Sequence, residues 1–272
     1  METKSDSAAP LGRREPLVAR APTSARAAES LRALHRAPPE VYDTRVATFC
    51  LIHGQWHDGS CWEPVADLLR ARGHEALAPD LPFDDPDASY AERARPALLA
   101  LERVLDPVIV VGHSRGSAEA ALFAAERCPA LLVYLCPRFG GFAAPPESPD
   151  VFRAGFPFPP SGADGRSVWT PDAALEVMYP RLSAEAGRKL AQHLRPGAEA
   201  VGDFPLAEHP AVPTTLIYAT DDEFFTPDWE RFIAHDVLGV EPIAISGGHF
   251  PMVENPDLLA DLLDRLASDV RA

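Results

Sequence analysis

Apolar residues are spread unevenly along the chain and divide it into two parts. The first 44 residues show no hydrophobic periodicity and are rich in Ala, Arg, Pro and Ser. The segment 46–52 (VATFCLI) is a continuous apolar run with β-branched and aromatic members, which is typical of a strand covered on both faces. The pattern therefore predicts a folded part that begins at about residue 45. Residues 1–44 are predicted to be a disordered N-terminal extension, or to result from a start codon assigned too early.

Strands and helices are predicted to alternate through most of the folded part. Further strands are expected at 74–78, 107–111, 130–135, 213–219 and 241–245. Helices are expected after the capping-box pattern Ser60-Cys-Trp-Glu63, and at 90–104, 114–127, 172–178, 183–194, from 227 and from 255. In the last helix the predicted buried stripe consists of Leu258, Leu259, Leu262, Leu263 and Leu266. This alternation implies right-handed crossovers and a mostly parallel sheet between helices.

The alternation pauses between about residues 140 and 210. That stretch is rich in proline and aromatic residues and carries only the two short helical patches. We therefore predict an α/β core formed by 45–139 and 211–272, with 140–210 inserted as a small helical lid.

Composition excludes several classes of function. The chain has 40 acidic and 25 basic residues and a formal charge of −15, which argues against nucleic acid and anionic membranes as partners. No stretch approaches the roughly 18 apolar residues of a membrane helix, and no secretory apolar region is evident. The cysteines form no C-x-x-C pair and are expected to be free thiols in the cytoplasm: Cys50, Cys61, Cys128 and Cys136.

A candidate nucleophile lies in the motif Gly112-His113-Ser114-Arg115-Gly116, directly after the strand predicted at 107–111 and before a helix. A serine on such a sharp turn projects above the sheet, and both glycines are needed because neighbouring segments crowd the turn. The helix N-terminus places unpaired N–H groups where an oxyanion would form. Ser114 is therefore predicted to be a catalytic nucleophile.

A serine hydroxyl needs a base, and the base needs an acid to orient it. His249 follows the last predicted strand and a Gly247-Gly248 turn, at the same carboxyl edge of the sheet as Ser114. Asp221 and Asp222 end another strand at that edge. Only one of these two adjacent carboxylates is expected to face the imidazole.

With these residues in this order, the chain resembles the α/β-hydrolase family from about residue 46 to 266. The order Ser114, Asp221 or Asp222, His249 is that of the family, and the segment GGHFPMVENPDLLADLL looks like its histidine loop and last helix. The family's G-x-x-D turn aligns with 219–222, which favours Asp222 as the acid. The resemblance implies an α/β-hydrolase fold. It also implies an oxyanion hole formed by the backbone amides of Gln55, after the His53-Gly54 motif, and of Arg115.

The run His53-Gly-Gln-Trp-His-Asp-Gly-Ser-Cys-Trp62 is similar to the H-G-x-x-H-G-x-x-x-W pattern of small esterases, plant methylesterases and hydroxynitrile lyases. It departs from that pattern at Gln55, which either adds an amide donor near the substrate or narrows the pocket, and at Asp58. We expect the Arg115 side chain to lie along the helix and pair with a nearby acid; contact with an anionic substrate is the alternative. The candidates for the substrate pocket are Trp56, His57, His113 and Phe139; for Trp56 and His57, packing under the lid is the alternative. His113 is also interpreted as structural, hydrogen-bonded beneath the turn.

The resemblance implies a cofactor-independent serine hydrolase of the carboxylesterase type, acting on a small ester through an acyl-enzyme. The aromatic residues of the predicted lid suggest that this substrate is mainly apolar. No cofactor and no metal is predicted, because nucleotide-binding motifs are absent and His53 and His57 lack the glutamate of a helical zinc motif. Two alternatives stay open: a hydroxynitrile lyase or C–C bond hydrolase with the same triad, and a ligand-binding protein that has kept the fold. The sequence leaves the substrate and the oligomeric state open.

Overall fold

The computed structural model of the protein describes residues 46–105, 107–139 and 148–270. The predicted N-terminal extension and the first residues of the predicted lid lie outside these ranges. None of the described helices is long and apolar enough to cross a membrane.

A six-stranded sheet forms the centre of the described chain, and all of its strand pairs are parallel. The strands are β1 (Thr48–Ile52), β2 (Glu75–Leu77), β3 (Val108–His113), β4 (Leu131–Leu135), β5 (Thr214–Ala219) and β6 (Ile243–Ile245). Their order is β2-β1-β3-β4-β5-β6. The parallel sheet predicted from the sequence is confirmed, and so are its six strands.

The strand order reverses between β1 and β3, which positions the site. The connection from β1 leads outward to β2, whereas β3 lies on the other side of β1. Ile52 at the end of β1 pairs with Gly112 near the end of β3, so the loops after these two strands begin side by side. In open parallel sheets the crevice at such a reversal, outside the carboxyl ends of the strands, is where ligands bind.

The helices are α1 (Glu63–Ala71), α2 (Tyr90–Ala100), α3 (Gly116–Arg127), α4 (Pro171–Val177), α5 (Ala184–Ala191), α6 (Pro227–Phe232), α7 (Pro251–Glu254) and α8 (Pro256–Asp269). Helix α6 continues as a π-helical turn over Ile233–Leu238. Helices α4 and α5 both lie in the segment predicted as the lid. β1 and β4 are buried at every residue, because a parallel sheet is covered on both faces.

Two local predictions are wrong. Ser60 and Glu63 form no capping box; instead the Asp58 side chain accepts a hydrogen bond from the Ser60 amide at 2.9 Å and begins a 3₁₀ turn over Gly59–Trp62. The Ser60 amide and the Ser60 hydroxyl both donate to Asp58 Oδ1, so neither takes part in a reciprocal pair with Glu63. In α8, Leu258 is 36% exposed and Leu266 is only partly buried, and Ala260 and Ala267 complete the buried face instead.

Candidate active site

Ser114 occupies a tight turn between β3 and α3, with a φ of 50° that non-glycine residues rarely adopt. The Ser114 amide donates to the Leu135 carbonyl at 3.0 Å, and the Ser114 carbonyl accepts from the Arg138 amide at 3.0 Å. These two bonds hold the turn from the neighbouring strand, β4, and from the segment that follows it. The strained backbone is thus fixed by its surroundings, as is common at functional sites.

The glycines on either side of Ser114 are required by close packing. A Cβ on Gly112 would lie 2.5 Å from the Ala120 Cβ, and a Cβ on Gly116 would clash with the His53 carbonyl oxygen. Each of these contacts would be shorter than any that a real Cβ atom makes. Only glycine therefore fits these two positions without displacing a neighbour, and the close approach brings the loop after β1 against the turn.

The structure brings Ser114, His249 and Asp222 together in one hydrogen-bonded chain. His249 Nε2 lies 3.0 Å from Ser114 Oγ, and His249 Nδ1 lies 2.7 Å from Asp222 Oδ2. Ser114 follows β3, Asp222 follows β5 and His249 follows β6. The carboxyl ends of these parallel strands meet at one edge of the sheet. Asp221 instead is exposed and accepts from the Thr220 hydroxyl at 3.1 Å. Of the two adjacent acids, only Asp222 contacts the imidazole.

Asp222 is itself fixed by the backbone that follows it. Its Oδ1 accepts hydrogen bonds from the amides of Phe224, at 2.7 Å, and Phe225, at 2.9 Å. This leaves Oδ2 facing His249. Because a carboxylate only accepts hydrogen bonds, the imidazole proton must reside on Nδ1, and the Nε2 lone pair is free to accept the Ser114 hydroxyl proton.

The imidazole is also held by its neighbours. The Phe224 ring stacks on it with centroids 4.3 Å apart, and the Phe225 ring meets it edge-on at 4.7 Å. The His249 backbone amide donates to Glu223 Oε2 at 3.1 Å, and its carbonyl accepts from His113 Nε2 at 2.8 Å. Ring and backbone of His249 are therefore both positioned before any substrate arrives.

Glu223 is held in turn by the segment predicted as the lid. Arg181, which follows α4, forms an ion pair with Glu223 and donates to the Asp221 carbonyl at 2.8 Å. The segment between α4 and α5 thus contacts the loops that carry the acid and the histidine.

His53 and His57 are occupied by structural contacts. His53 Nε2 accepts from the Leu81 amide at 2.9 Å, so its proton is on Nδ1, which donates to the Gly54 carbonyl at 2.9 Å. His57 Nε2 lies 2.7 Å from the Tyr179 hydroxyl. Burial lowers the pKa of His53, and it lowers that of His57 to about 4. Both rings are neutral at physiological pH.

The amides of Gln55 and Arg115 lie on the two segments that crowd Ser114. Gln55 follows Gly54, where a Cβ would lie 3.1 Å from the Ser114 Cβ, and Arg115 directly precedes α3. Within the described part of the chain, neither amide donates to a backbone carbonyl. The Gln55 side chain lines the site, and its Nε2 donates to the Ala198 carbonyl at 3.2 Å. One of its two amide N–H groups is thus already used by the protein.

A cavity of about 250 Å³ opens beside Ser114. Much of its wall is aromatic, and the lining residues are Gln55, Trp56, Ser114, Arg115, Arg138, Phe152, Phe158, Pro159, Ser161, Ser167, Glu199, Phe224 and Phe225. Trp56 is placed there as predicted, with its indole Nε1 donating to Ser167 Oγ at 2.9 Å.

Three other predicted pocket residues do not line this cavity. His57 turns towards Tyr179 and Phe250, His113 lies beneath the turn against His249, and Phe139 packs edge-on against Tyr134 at 4.6 Å. His113 precedes Ser114 in the chain and His57 belongs to the run His53–Trp62, but the side chains of all three residues point into the core. The structural interpretation of His113 agrees with its contact, and burial lowers its pKa well below the usual value.

Several cavity residues were missed by sequence reasoning. Phe224 and Phe225 lie two and three residues after Asp222, and this closeness to the acid could have predicted that they line the cavity. Arg138 follows β4, and Glu199 lies in the segment predicted as the lid, so nothing local marked them. The Arg115 side chain pairs with an acid as expected, but the acid is Glu199 from this distant segment, and Arg115 faces the cavity.

One group of side chains in the described ranges has the spacing of a metal site: Cys136, Asp222 and His249, whose ligand atoms lie within 4.8 Å of one another. The Asp222 and His249 atoms already bind each other. Burial and the charge of Asp222 raise the pKa of the Cys136 thiol well above its usual value, so the thiol stays protonated and is a poor ligand. The geometry fits proton transfer better than metal binding.

A model of the family described as alpha/beta hydrolase matches residues 51–262. This range is more than half of the chain and contains Ser114, Asp222 and His249. The chain belongs to the α/β-hydrolase family. The resemblance seen in the sequence, and the α/β-hydrolase fold that it implied, are confirmed.

Named relatives of this α/β hydrolase include esterases. Esterase PIR7B of Oryza sativa subsp. japonica is 35% identical over 100 residues, which are 33% of this chain and 37% of that protein. Probable esterase PIR7A of Oryza sativa subsp. indica is 26% identical over 256 residues, covering 81% of this chain and 96% of that protein. The crystal structure of a pyrethroid hydrolase from Sphingobium faniae JZ-2 has a TM-score of 0.67 at 24% identity, over 82% of this chain and 98% of that one, and shares the fold.

Proposed function

We propose that this α/β hydrolase is a cofactor-independent serine hydrolase that cleaves a small, mainly apolar ester through an acyl-enzyme on Ser114. One observation carries the proposal: the unbroken chain of hydrogen bonds from Ser114 Oγ through the His249 ring to Asp222. This is the arrangement that turns a poor hydroxyl nucleophile into a reactive one.

The first half of the reaction acylates the serine. His249 Nε2 takes the Ser114 proton while Oγ bonds to the ester carbonyl carbon, and the carbonyl π electrons move onto its oxygen. The resulting imidazolium is stabilised by Asp222. The tetrahedral intermediate then collapses, its bond to the alcohol oxygen breaks, and the imidazolium returns the proton to that oxygen.

The second half repeats these steps with water. His249 removes a proton from water, the hydroxyl bonds to the acyl carbon, and the bond to Ser114 Oγ breaks as the proton returns to the serine. In both halves we assign the oxyanion to the backbone amides of Gln55 and Arg115. Loss of one such donor typically costs about 10² to 10³ in rate.

Two further observations support an ester of mainly apolar character. Aromatic rings form much of the wall beside Ser114. Several relatives are named esterases, among them a carbendazim hydrolyzing esterase of Nocardioides sp. that is 33% identical over 131 residues, covering 41% of this chain and 54% of that protein. The chain covers only 37% of esterase PIR7B and 54% of the carbendazim hydrolyzing esterase, so neither relative's substrate carries over to it.

The test compares two serines of the same region. Ser114→Ala should abolish hydrolysis of 4-nitrophenyl hexanoate, whereas Ser117→Ala should retain it, because Ser117 Oγ donates to the Gly112 carbonyl rather than facing the cavity. Circular dichroism and thermal unfolding would show that both variants are folded. Turnover that survives in folded Ser114→Ala would refute the proposal, as would cyanohydrin cleavage by the wild-type protein with no ester hydrolysis.

A further inference from the structure

Two arginines meet one carboxylate in the wall of the cavity beside Ser114. Arg115 Nη2 forms an ion pair with Glu199 Oε2, and Arg138 Nη1 lies 3.8 Å from Glu199 Oε1. All three residues line the cavity. The Arg115 side chain is only 10% exposed and that of Arg138 29%, whereas that of Glu199 is 67% exposed. The guanidinium groups therefore belong to the protein wall, while the carboxylate lies on the solvent side.

Positive charge is in excess behind this wall. Arg93 is fully buried and donates to the backbone carbonyls of Ala198, at 3.2 Å, and Glu199, at 2.9 Å. Glu119 lies one turn along α3 from Arg115, and neither of its carboxyl oxygens has a hydrogen-bond partner among the described residues. Burial raises the pKa of Glu119 to about 7, so this carboxyl is incompletely ionised at neutral pH.

Among the described residues of this wall, the guanidinium groups of Arg93, Arg115 and Arg138 thus outnumber the carboxyls of Glu119 and Glu199, and only the Glu199 carboxylate is exposed. The local excess is opposite in sign to the formal charge of −15 on the whole chain. A buried guanidinium is costly unless an anion pairs with it, and the pairing is strong where water is largely excluded. The planar guanidinium presents a fork of donors that matches a carboxylate.

Arg138 is further oriented by the cavity itself. Its guanidinium carbon lies 5.6 Å from the centre of the Phe152 ring, a cation–π contact with another lining residue. An apolar group lying against the aromatic wall would therefore be next to the guanidinium groups. Glu199 occupies the place that the carboxylate of such a ligand would take.

We propose that the substrate is an ester whose mainly apolar body carries one carboxylate, which binds Arg115 and Arg138 in exchange for Glu199 while its ester group lies at Ser114. This inference deepens the proposed function and rests on it, because the same cavity serves both. Arg138 and Glu199 are then specificity-determining residues: Arg138 attracts the substrate carboxylate, and Glu199 competes with it.

The test uses esters that differ in charge but little in shape. Mono-4-nitrophenyl adipate carries a terminal carboxylate, and 4-nitrophenyl 6-methylheptanoate replaces its two oxygens by methyl groups. For a carboxylate on the alcohol side, 4-carboxyphenyl hexanoate is compared with 4-acetylphenyl hexanoate. The measured quantity is the ratio of kcat/KM, anionic over neutral, for the wild-type protein and for Arg138→Gln, Glu199→Gln and the control Arg166→Gln.

In at least one pair, the wild-type ratio should fall about tenfold or more in Arg138→Gln, because hydrogen bonds to charged groups change an equilibrium by about 10- to 100-fold. The ratio should rise in Glu199→Gln, because the internal competitor is gone. It should stay unchanged in Arg166→Gln, whose side chain pairs with Asp164 and does not line the cavity.

The outcomes separate this inference from the proposed function. Hydrolysis of the neutral esters with ratios that are the same in all four proteins would overturn the anionic substrate and leave the serine hydrolase standing. A ratio that falls in Arg138→Gln but does not rise in Glu199→Gln would overturn the exchange with Glu199. Failure of the wild-type protein to hydrolyse any of the four esters would overturn the proposed function, and this inference with it.

Discussion

Replacing Asp222 by asparagine tests how the acid controls the imidazole. In the wild-type protein Oδ1 accepts two backbone N–H groups, from Phe224 and Phe225, and Oδ2 faces His249 Nδ1. In Asp222→Asn the side-chain oxygen must accept the hydrogen bonds from the two backbone N–H groups, because the side-chain NH₂ group is a donor and can accept no hydrogen bond. The NH₂ group then faces Nδ1 and can only donate to it. The proton of the neutral ring must move to Nε2, which can no longer accept the Ser114 proton.

The expected loss follows from this tautomer. Turning the amide around would leave two backbone donors unpaired, at about 1–3 kcal/mol each, so the ring rather than the amide adjusts. A wrong tautomer in a serine–histidine–acid site costs about 10⁴ in kcat, or about 5 kcal/mol of transition-state stabilisation. We expect a loss of that size in kcat for 4-nitrophenyl hexanoate, with thermal unfolding showing that the variant is folded.

The neighbouring acid supplies the matched control. Asp221→Asn makes the same chemical change one residue earlier, at an exposed side chain whose one hydrogen-bond donor in the described ranges is the Thr220 hydroxyl. It should leave kcat unchanged. A loss of less than about tenfold in Asp222→Asn, or equal losses in the two variants, would show that the reasoning from the two loop amides is wrong.

Three further changes test the packing and charge of the site. Gly116→Ala should lower the free energy of unfolding by about 1–3 kcal/mol in urea denaturation, because its Cβ would clash with the His53 carbonyl; unchanged stability would contradict this. Folding raises the pKa of Glu119 from 4.5 to about 7, so the folded protein keeps a proton that the unfolded chain has lost, and stability falls by about 3 kcal/mol as pH rises through that interval. Glu119→Gln should therefore raise Tm more at pH 8 than at pH 5, and an equal shift at both would refute the assignment. Phe224→Leu removes the ring stacked on His249 and should lower kcat by up to about 100-fold, whereas an unchanged kcat would show that the stack does not position the imidazole.

The sheet and the three converging residues were predictable because their signals are local. Each apolar run predicts a strand, and parallel strands place their carboxyl ends at one edge, so Ser114 and His249 could be assigned to the same edge from the sequence. The choice of Asp222 over Asp221 depended on the family resemblance. The structure adds a physical reason, because the two amides after Asp222 bind one of its oxygens and leave the other for the histidine.

The cavity was less predictable because its wall is assembled from distant segments. Arg138 and Glu199 lie 61 positions apart in the numbering and meet only in the folded chain. Motif proximity also misled, since His57, His113 and Phe139 lie close to the site in sequence but point into the core. Sequence patterns indicate which residues reach one edge of the sheet, whereas side-chain direction in the loops depends on packing that no local pattern encodes.

Covalent modification of Ser114 can be measured with a fluorophosphonate probe, which reacts with an activated serine as an ester would. The Ser114 oxygen should displace fluoride and form a stable phosphonyl ester, read by mass spectrometry as a single adduct on the peptide that contains residues 112–116. The label should be absent from Ser114→Ala and strongly slowed in His249→Ala. An adduct on a different serine of the folded wild-type protein, or no adduct while ester turnover continues, would contradict the account.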